Sequence, residues 1–376
     1  MSQKDGVKCR RREVRGPDIT LGRSPVGRRD FLKACALAAA GLSWSQVSGW
    51  ESALAQHVEL GDDTSNSKDE ALMNKTVLSF FVDDTSHYRG ADAFRRFLDY
   101  VKSEGIAGES TVLIGSSRLS EPTTEAQRAY IEQLHRAFEC GIDSHMEVMT
   151  HGGRFDFQRR TVPEGAIHEG LWLHEPDVSV DEYESYIGNV IAEGEKIGVR
   201  FTGLTWPGGG GPEVERRYAQ LRQQGIRNLN PHCWQALLNL AKAGKFRGRT
   251  VPCFVHSPPE VQCMASDGKY GVYDIPTLGA DWLGSWENSP ERVNPDFYIT
   301  ADGKSGKIAQ RVREGAPYCF FYGHWQGLNP GNGVGWDAFK LVVQRVKEFL
   351  PDRVVWMRPS QFTDWWHGRP AAGSAA

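Results

Sequence analysis

The chain contains 376 residues with a net charge of −3, and its charge is unevenly distributed. Residues 1–55 hold ten of the 44 Lys and Arg residues but only five of the 47 Asp and Glu residues, which leaves a net charge of −8 on the rest. An acidic surface argues against binding to nucleic acid, whose phosphates attract basic side chains. We also expect no membrane span in the mature chain, since no later segment is apolar over the ~20 residues needed to cross a bilayer.

The N-terminal residues resemble a bacterial twin-arginine export signal. Arg28 and Arg29 precede a short apolar stretch at 34–42, and small residues follow at 53–55. This order of charged, apolar and small-residue regions is typical of a cleaved signal peptide rather than a membrane anchor. We therefore predict that residues 1–55 direct the folded protein through the twin-arginine (Tat) translocase and are then removed, which leaves it periplasmic or extracellular.

A polar stretch at 56–74 predicts a flexible linker, followed by a folded domain at 75–367 and a disordered tail at 368–376. Within the domain, apolar strands alternate with amphipathic helices. The predicted strands lie near 77–82, 112–114, 141–145, 201–205, 226–229, 316–322 and 354–357. The predicted helices lie near 94–101, 124–139, 180–197, 213–224, 234–242 and 336–350, and long loops fill 255–310. Such alternation indicates a parallel sheet, so the expected fold class is α/β, a distorted (β/α) barrel in a single domain.

Polar side chains lie where several predicted strands end. Asp83 and Asp84 come directly after the first strand, His145 and His151 follow another, and His324 follows a late one. Barrels of this class carry their chemistry at the carboxyl ends of strands, so we expect these side chains to form one site. Carboxylates and neutral imidazoles are ligands for divalent metals. Each residue also has a structural interpretation, as a helix N-cap for the aspartates or a packed, hydrogen-bonded ring for the histidines.

Four segments resemble, in order, the motifs of the polysaccharide deacetylase superfamily, which is also called the nodulation-protein-B homology domain. A strand ends in Asp-Asp at 81–84, two histidines bound the segment 145–151, a Thr-Trp-Pro-Gly loop lies at 205–208, and a histidine follows the late strand at 322–324. The resemblance implies a barrel of the glycoside hydrolase/deacetylase type. It also implies metal-dependent hydrolysis of an N- or O-acyl group, such as acetyl, on a carbohydrate.

The resemblance gives each candidate residue a role. Asp83 would be the general base and His324 the general acid. Asp84, His145 and His151 would bind a divalent metal, for which zinc is the first choice. The metal would polarise the acyl carbonyl and its bound water, Asp83 would take the proton of that water, and His324 would protonate the departing amine or alkoxide.

The resemblance also suggests where a carbohydrate would bind. Trp206, Pro207 and Gly208 of the third motif would line the groove together with Trp325, and a backbone N–H near Gly208 would hold the oxyanion.

The chain departs from the family pattern at the second motif. The family spaces its histidines as H-x-x-x-H, whereas His145 and His151 are six positions apart. If Gly141 sets the register, Glu147 and His151 occupy the ligand positions instead. We favour His145, because the run Ile-Asp-Ser-His resembles the family sequence before its first histidine, and Glu147 stays open as the alternative.

Two further departures bear on function. The arginine that usually precedes the proline of the third motif is absent, which leaves the tuning of Asp83 open. One alternative to a deacetylase is a non-catalytic carbohydrate-binding barrel that lost turnover with this arginine. A separate alternative is a glycoside hydrolase that uses paired carboxylates. His168 and His174 have no counterpart in the family pattern, and we expect them in a surface loop rather than in the site.

Overall fold

The computed structural model describes residues 74–368, except for residues 210, 225–227 and 256–257. The predicted export signal at 1–55, the linker up to residue 73 and the tail from residue 369 lie outside the described residues. No helix in the described part of the chain combines the length and apolar character that a membrane span requires.

Nine strands in the described part of the chain form one sheet. They are β1 Thr76–Asp83, β2 Gly108–Val112, β3 Ile142–Met146, β4 Gly203–Thr205, β5 Thr250–Phe254, β6 Gln262–Ser266, β7 Gly271–Asp274, β8 Tyr318–His324 and β9 Val354–Trp356. The order across the sheet is β6-β7-β5-β4-β3-β2-β1-β8, and β9 also pairs with β1. Every pairing is parallel except that between β6 and β7, which is antiparallel.

Helices connect most of the parallel strands, as βαβ crossovers require. They are α1 Ala91–Glu104, α2 Glu125–Ala137, α3 Glu169–Trp172, α4 Val180–Lys196, α5 Pro212–Gln223, α6 Pro231–Lys242, α7 Lys307–Arg313, α8 Trp325–Leu328, α9 Trp336–Phe349 and α10 Pro359–His367. The longer predicted helices are confirmed to within a few residues. Capping boxes at Thr124 and Ser179 begin α2 and α4, where side-chain oxygens accept the first free backbone N–H groups.

Strand β1 is apolar on both faces because both faces are covered. Leu78, Phe80 and Val82 lie in the core between the sheet and the helices. The Phe80 ring packs edge-on against Phe97 of α1 and Phe339 of α9, with ring centroids 6.0 and 5.1 Å apart. A continuous apolar run in the sequence is typical of such a doubly covered strand.

The opposite face of the sheet curls around a smaller core of its own. Phe81 of β1, Phe254 of β5, Tyr273 of β7 and Phe320 of β8 belong to one buried cluster, with the rings of Phe81 and Phe254 in direct contact. Strands that lie far apart in the sheet order can share a cluster only if the sheet bends back on itself. The predicted α/β barrel class is therefore confirmed, in the form of a curled, mixed sheet that makes a half-barrel.

Several details differ from the sequence prediction. Strand β2 spans 108–112 instead of 112–114, and β5 was not predicted. Residues 228–229 are not in a strand, because the segment runs directly into α6, whose first turn is capped by the Asn230 side chain. The region 255–310, which we expected to be loops, contains the β6–β7 hairpin. Helix α10 and the short helices α3, α7 and α8 were not predicted. Strands β6 and β7 have only five and four residues, too short for a clear periodic pattern.

Candidate metal centre and active-site pocket

The first part of the site lies where β1 ends. Asp83, the last residue of β1, is in register with His324, the last residue of β8, so both lie at the same edge of the sheet. Asp84 has a left-handed backbone with φ of 62°, which breaks the alternation of the strand. As a result, Asp83 and Asp84 both line one pocket, instead of pointing to opposite sides. The Asp84 amide donates to the Thr111 hydroxyl at 2.8 Å, and the Gln326 amide donates to an Asp84 carboxylate oxygen at 3.1 Å.

The second part lies after β3. Glu147 follows that strand directly and is 2% exposed. The chain then turns sharply, because Val148 and His151 both have left-handed backbone conformations, with φ of 52° and 53°. This turn brings His151 back, so that its Nε2 atom lies 3.0 Å from Oε1 of Glu147.

These residues form one cluster. Asp84, Glu147 and His151 each offer a ligand atom, and the three atoms lie within 4.8 Å of one another. Oε2 of Glu147 is buried and has no hydrogen-bond partner among the described residues. Two carboxylates and an imidazole, with one carboxylate oxygen still unpaired, match the donor chemistry of a divalent metal. The residues present therefore fit the metal that the sequence analysis expected.

The electrostatics of the cluster also favour a bound cation. Burial raises the pKa of Asp83 to about 8, and the nearby carboxylates of Glu147 and Asp84 add to this effect. Burial raises the pKa of Glu147 as well. Burial alone lowers the pKa of His151, but Glu147, Asp84 and Asp83 outweigh it and raise that pKa to about 9. Three crowded carboxyl groups favour nearby positive charge, which the protonated rings of His151 and His324 or a bound metal would supply.

His145 is not part of this cluster, so our preference for it over Glu147 is corrected. Its ring is fully buried and stacks on Phe254, and Nδ1 lies 3.4 Å from the Thr205 hydroxyl. The physical reason is strand geometry. His145 lies two residues before Glu147 on the same face, so it is about 6–7 Å deeper in the barrel. Burial there lowers the pKa of His145 to about 3.

The buried carboxylate of Asp281 positions His324, the second candidate catalytic residue. Nδ1 of His324 lies 2.8 Å from Oδ2 of Asp281, and the same oxygen accepts the backbone N–H of His324 at 3.2 Å. Burial lowers the pKa of His324, but the hydrogen bond to Asp281 and the charge of Asp83 raise it to about 9. Asp281 fixes the ring through Nδ1, which leaves Nε2 as the atom available to a substrate. The sequence analysis missed Asp281, because it lies in the region assigned to loops and belongs to no motif that we recognised.

The metal cluster, Asp83 and His324 line one pocket of about 770 Å³. Of the residues expected to bind substrate, Trp206 and Gly208 line this pocket. Four other aromatic residues that the sequence analysis did not assign to the site also line it, namely Phe81, Phe254, Trp286 and Tyr322, of which Trp286 is 62% exposed.

The other two residues expected to bind substrate do not line the pocket, and this expectation is corrected. Pro207 is buried. Trp325 is 0% exposed and packs edge-on against Phe94 and Phe97 of α1, with ring centroids 5.7 Å away in each case. Trp325 begins helix α8 directly after His324, and the change from strand to helix places its ring in the core.

The two unassigned histidines lie near the second motif but do not line the pocket. Nδ1 of His168 accepts the backbone N–H of Gly170 at 3.1 Å and so caps α3, and its ring centroid is 6.3 Å from that of His151. His174 is buried, with Nδ1 2.7 Å from the carbonyl oxygen of Gly170. The expectation of a surface loop is therefore wrong for His174, which is a packed residue.

Solved structures resemble this fold at low sequence identity. The peptidoglycan deacetylase PdaC from Bacillus subtilis is 15% identical with a TM-score of 0.38, and the match covers 78% of this chain and 93% of that chain. A glycoside hydrolase/deacetylase-type protein from Parabacteroides distasonis is 9% identical with a TM-score of 0.47, covering 79% and 72%. A CE4 family pseudoenzyme from Bacillus anthracis is 10% identical with a TM-score of 0.33, covering 76% and 70%. No protein-family model and no curated protein matches the chain. At these levels of similarity, the chemistry of the site rests on its own residues.

Proposed function

We propose that the protein is a metal-dependent hydrolase that removes an N- or O-acyl group, such as acetyl, from a carbohydrate. One observation carries this proposal. The cluster of Asp84, Glu147 and His151 shares a pocket with a buried carboxylate, Asp83, and a positioned imidazole, His324. A metal site flanked by a base and an acid is an arrangement that supports metal-assisted acyl hydrolysis at neutral pH.

In this proposal Asp84, Glu147 and His151 hold a divalent metal, with zinc as the first candidate. The bound metal would supply Lewis-acid chemistry that polarises an acyl carbonyl and acidifies water. Asp84 is held in place for this role by Thr111 and Gln326, which bond its backbone and side chain.

Asp83 is the proposed general base. Its pKa of about 8 reflects burial beside Glu147 and Asp84. A metal held by those two neighbours would lower the pKa of Asp83 and so favour the ionised carboxylate at neutral pH. An ionised Asp83 can accept the proton of the attacking water.

His324 is the proposed general acid. Its pKa of about 9 keeps the ring protonated at neutral pH. Because Asp281 binds Nδ1, the proton on Nε2 is the one that can pass to the departing nitrogen or oxygen. The developing negative charge on the acyl oxygen would be stabilised by a backbone N–H near Gly208, which lines the pocket.

We assign the carbohydrate to the aromatic side of the pocket. Trp206, Trp286 and Tyr322 all line it and offer flat apolar faces with a polar group at the ring edge. Trp286 and Tyr322 can contact sugar C–H groups while they bond hydroxyl groups, whereas Nε1 of Trp206 already donates to the Gly170 carbonyl oxygen at 3.2 Å and only its ring face is offered to the sugar.

Release of acetate from acetylated oligosaccharides by the zinc-loaded protein tests this function. We expect turnover that is lost on chelation and restored by zinc. Binding of the oligosaccharide without any acetate release would instead support a non-catalytic carbohydrate-binding protein. The observation that favours this second candidate is the missing arginine partner of Asp83, whose buried Oδ1 has no hydrogen-bond partner among the described residues.

We further propose export through the Tat translocase, which rests on the sequence of residues 1–55. N-terminal sequencing of exported protein should begin at Gln56. Exported protein that still begins at Met1 would rule out cleavage at this position.

A further inference from the structure

A buried glutamate lies directly behind the loop that carries His151. Glu169, the first residue of α3, is 0% exposed. Its carboxylate accepts three consecutive backbone N–H groups, from Met149 at 3.2 Å, from Thr150 at 2.8 Å and from His151 at 3.0 Å. The glutamate therefore binds the backbone of the candidate ligand itself.

Two hydroxyl groups complete the surroundings of this carboxylate. Thr150 Oγ1 lies 3.1 Å from Oε2, and the Tyr186 hydroxyl donates to Oε1. Both Glu169 oxygens thus face only donors. An amide in the same position would place an N–H group against other N–H or O–H donors, so the site needs a carboxylate.

The loop needs such a partner because its backbone is unusual. Residues 148–151 follow β3 but leave the sheet, and Val148 and His151 both have φ near +50°. A left-handed conformation is costly for a β-branched residue such as Val148 and persists only where the surroundings hold it. Charge-assisted hydrogen bonds from three successive amides to one buried carboxylate can supply that restraint.

We propose that Glu169 is a positioning residue, which fixes the backbone of residues 149–151 and so aims His151 at Glu147 and Asp84. The inference rests on the proposed function only in taking His151 as a metal ligand. Glu169 does not line the pocket and is not one of the three candidate ligands, so it acts through the backbone of the loop.

Tyr186 offers an independent test of the contact between Glu169 and the loop, because it binds the same carboxylate. Its hydroxyl donates to Glu169 and accepts the backbone N–H of Phe155 at 2.9 Å. The variant Tyr186→Phe removes one of the five donors and leaves the carboxylate in place. We expect it to act in the same direction as loss of the carboxylate, but more weakly.

The test compares Glu169→Gln with a matched control, Asp143→Asn. Asp143 is also a fully buried carboxylate that accepts one backbone N–H and one hydroxyl, both from Ser360, but it lies at the other end of β3 from the His151 loop. Two quantities are measured on the full-length proteins. The first is amide hydrogen exchange of residues 149–151 without metal, and the second is the affinity for Zn²⁺ by chelator competition.

We expect Glu169→Gln to speed exchange of these amides by about tenfold or more, because glutamine offers one neutral oxygen in place of two charged ones, so each backbone N–H loses either its acceptor or the charge of that acceptor. We expect its Zn²⁺ affinity to fall roughly 10–100-fold at unchanged stoichiometry, as for other residues that orient metal ligands. Asp143→Asn should change neither quantity.

Unchanged exchange in Glu169→Gln would overturn the positioning role. If the wild-type protein binds no Zn²⁺, the proposed function fails, and exchange at residues 149–151 still decides the role of Glu169. Loss of the near-ultraviolet circular dichroism signal would show that Glu169→Gln does not fold. In that case the same two measurements on Tyr186→Phe decide whether Glu169 has the positioning role. Faster exchange and weaker binding in that variant support the role, and no change in either overturns it.

Discussion

Nε2 of His151 lies 3.0 Å from Oε1 of Glu147, four positions earlier in the chain. This contact defines the second half of the candidate metal centre as an acid and a histidine rather than two histidines. It also explains why His151 has a pKa of about 9, because the buried carboxylate beside it favours the protonated ring against the cost of burial. A divalent cation at the cluster would take the place of that proton.

The first prediction concerns proton release on zinc binding. Because Nε2 of His151 must lose its proton to bind a metal, Zn²⁺ affinity should rise between pH 6 and pH 8, by about tenfold per pH unit for each proton released. Calorimetric titration at pH 7, in two buffers of different ionisation enthalpy, should count about one released proton or more. A binding enthalpy that is independent of the buffer would contradict this.

The second prediction concerns the general base. The variant Asp83→Asn should reduce acetate release by roughly 10²–10⁴-fold, the usual contribution of a general base, while its zinc content stays at the wild-type value. The control is Asp302→Asn, which changes an exposed carboxylate and should leave the rate unchanged. A normal rate in Asp83→Asn would remove Asp83 from the mechanism.

The third prediction concerns the pair formed by His324 and Asp281. In Asp281→Asn the pKa of His324 should fall from about 9, because its largest favourable partner is lost while the effect of burial stays. A histidine with a raised pKa in the folded protein stabilises it fully below the unfolded value of about 6.5, and this contribution is lost as the pH rises through about 9. The difference in unfolding free energy between wild type and Asp281→Asn should therefore be larger at pH 6 than at pH 10. NMR titration of His324 and chemical denaturation at the two pH values test this prediction. An unchanged pKa of His324 in Asp281→Asn would contradict it.

The fourth prediction distinguishes the structural role of Trp325 from the substrate-binding role of Trp206. Trp325→Ala should lower the free energy of unfolding by roughly 3–5 kcal/mol, since it removes a fully buried ring from the core. Trp206→Ala should weaken oligosaccharide binding, because Trp206 lines the pocket. Chemical denaturation and oligosaccharide titration of both variants provide the comparison. A Trp325 variant that is stable but binds the oligosaccharide poorly would contradict the assignment.

Much of the fold was predictable from local patterns. The apolar run that ends at Val82 predicted β1, and the faces of α1, α4 and α9 predicted those helices. The position of Asp83 opposite His324 follows from parallel pairing of two strands that each end in a polar residue. Such features are predictable because they depend on burial and strand direction alone.

The choice between His145 and Glu147 was not predictable in this way. It depends on where β3 ends and on the left-handed turn at Val148, a conformation that a β-branched residue rarely adopts. No local sequence pattern predicts such a turn. The turn is held in part by the buried carboxylate of Glu169, which lies 21 positions later in the chain.

Asp281 was missed for a related reason. It lies 43 positions before His324, and only the three-dimensional fold brings the two side chains together. Trp325 was misplaced because an aromatic residue next to a candidate catalytic histidine has the same appearance in sequence whether it lines a pocket or packs in the core.

The central claim is that Asp84, Glu147 and His151 hold one divalent metal. Its most direct test is the zinc content of the purified protein after dialysis, by mass spectrometry, for the wild type, Glu147→Gln and His145→Gln. We predict one ion per chain in the wild type and in His145→Gln, and loss of the ion during dialysis in Glu147→Gln, because that variant removes a direct ligand. A wild type without a stoichiometric divalent ion, or a Glu147 variant that keeps its metal while the His145 variant loses it, would contradict the claim.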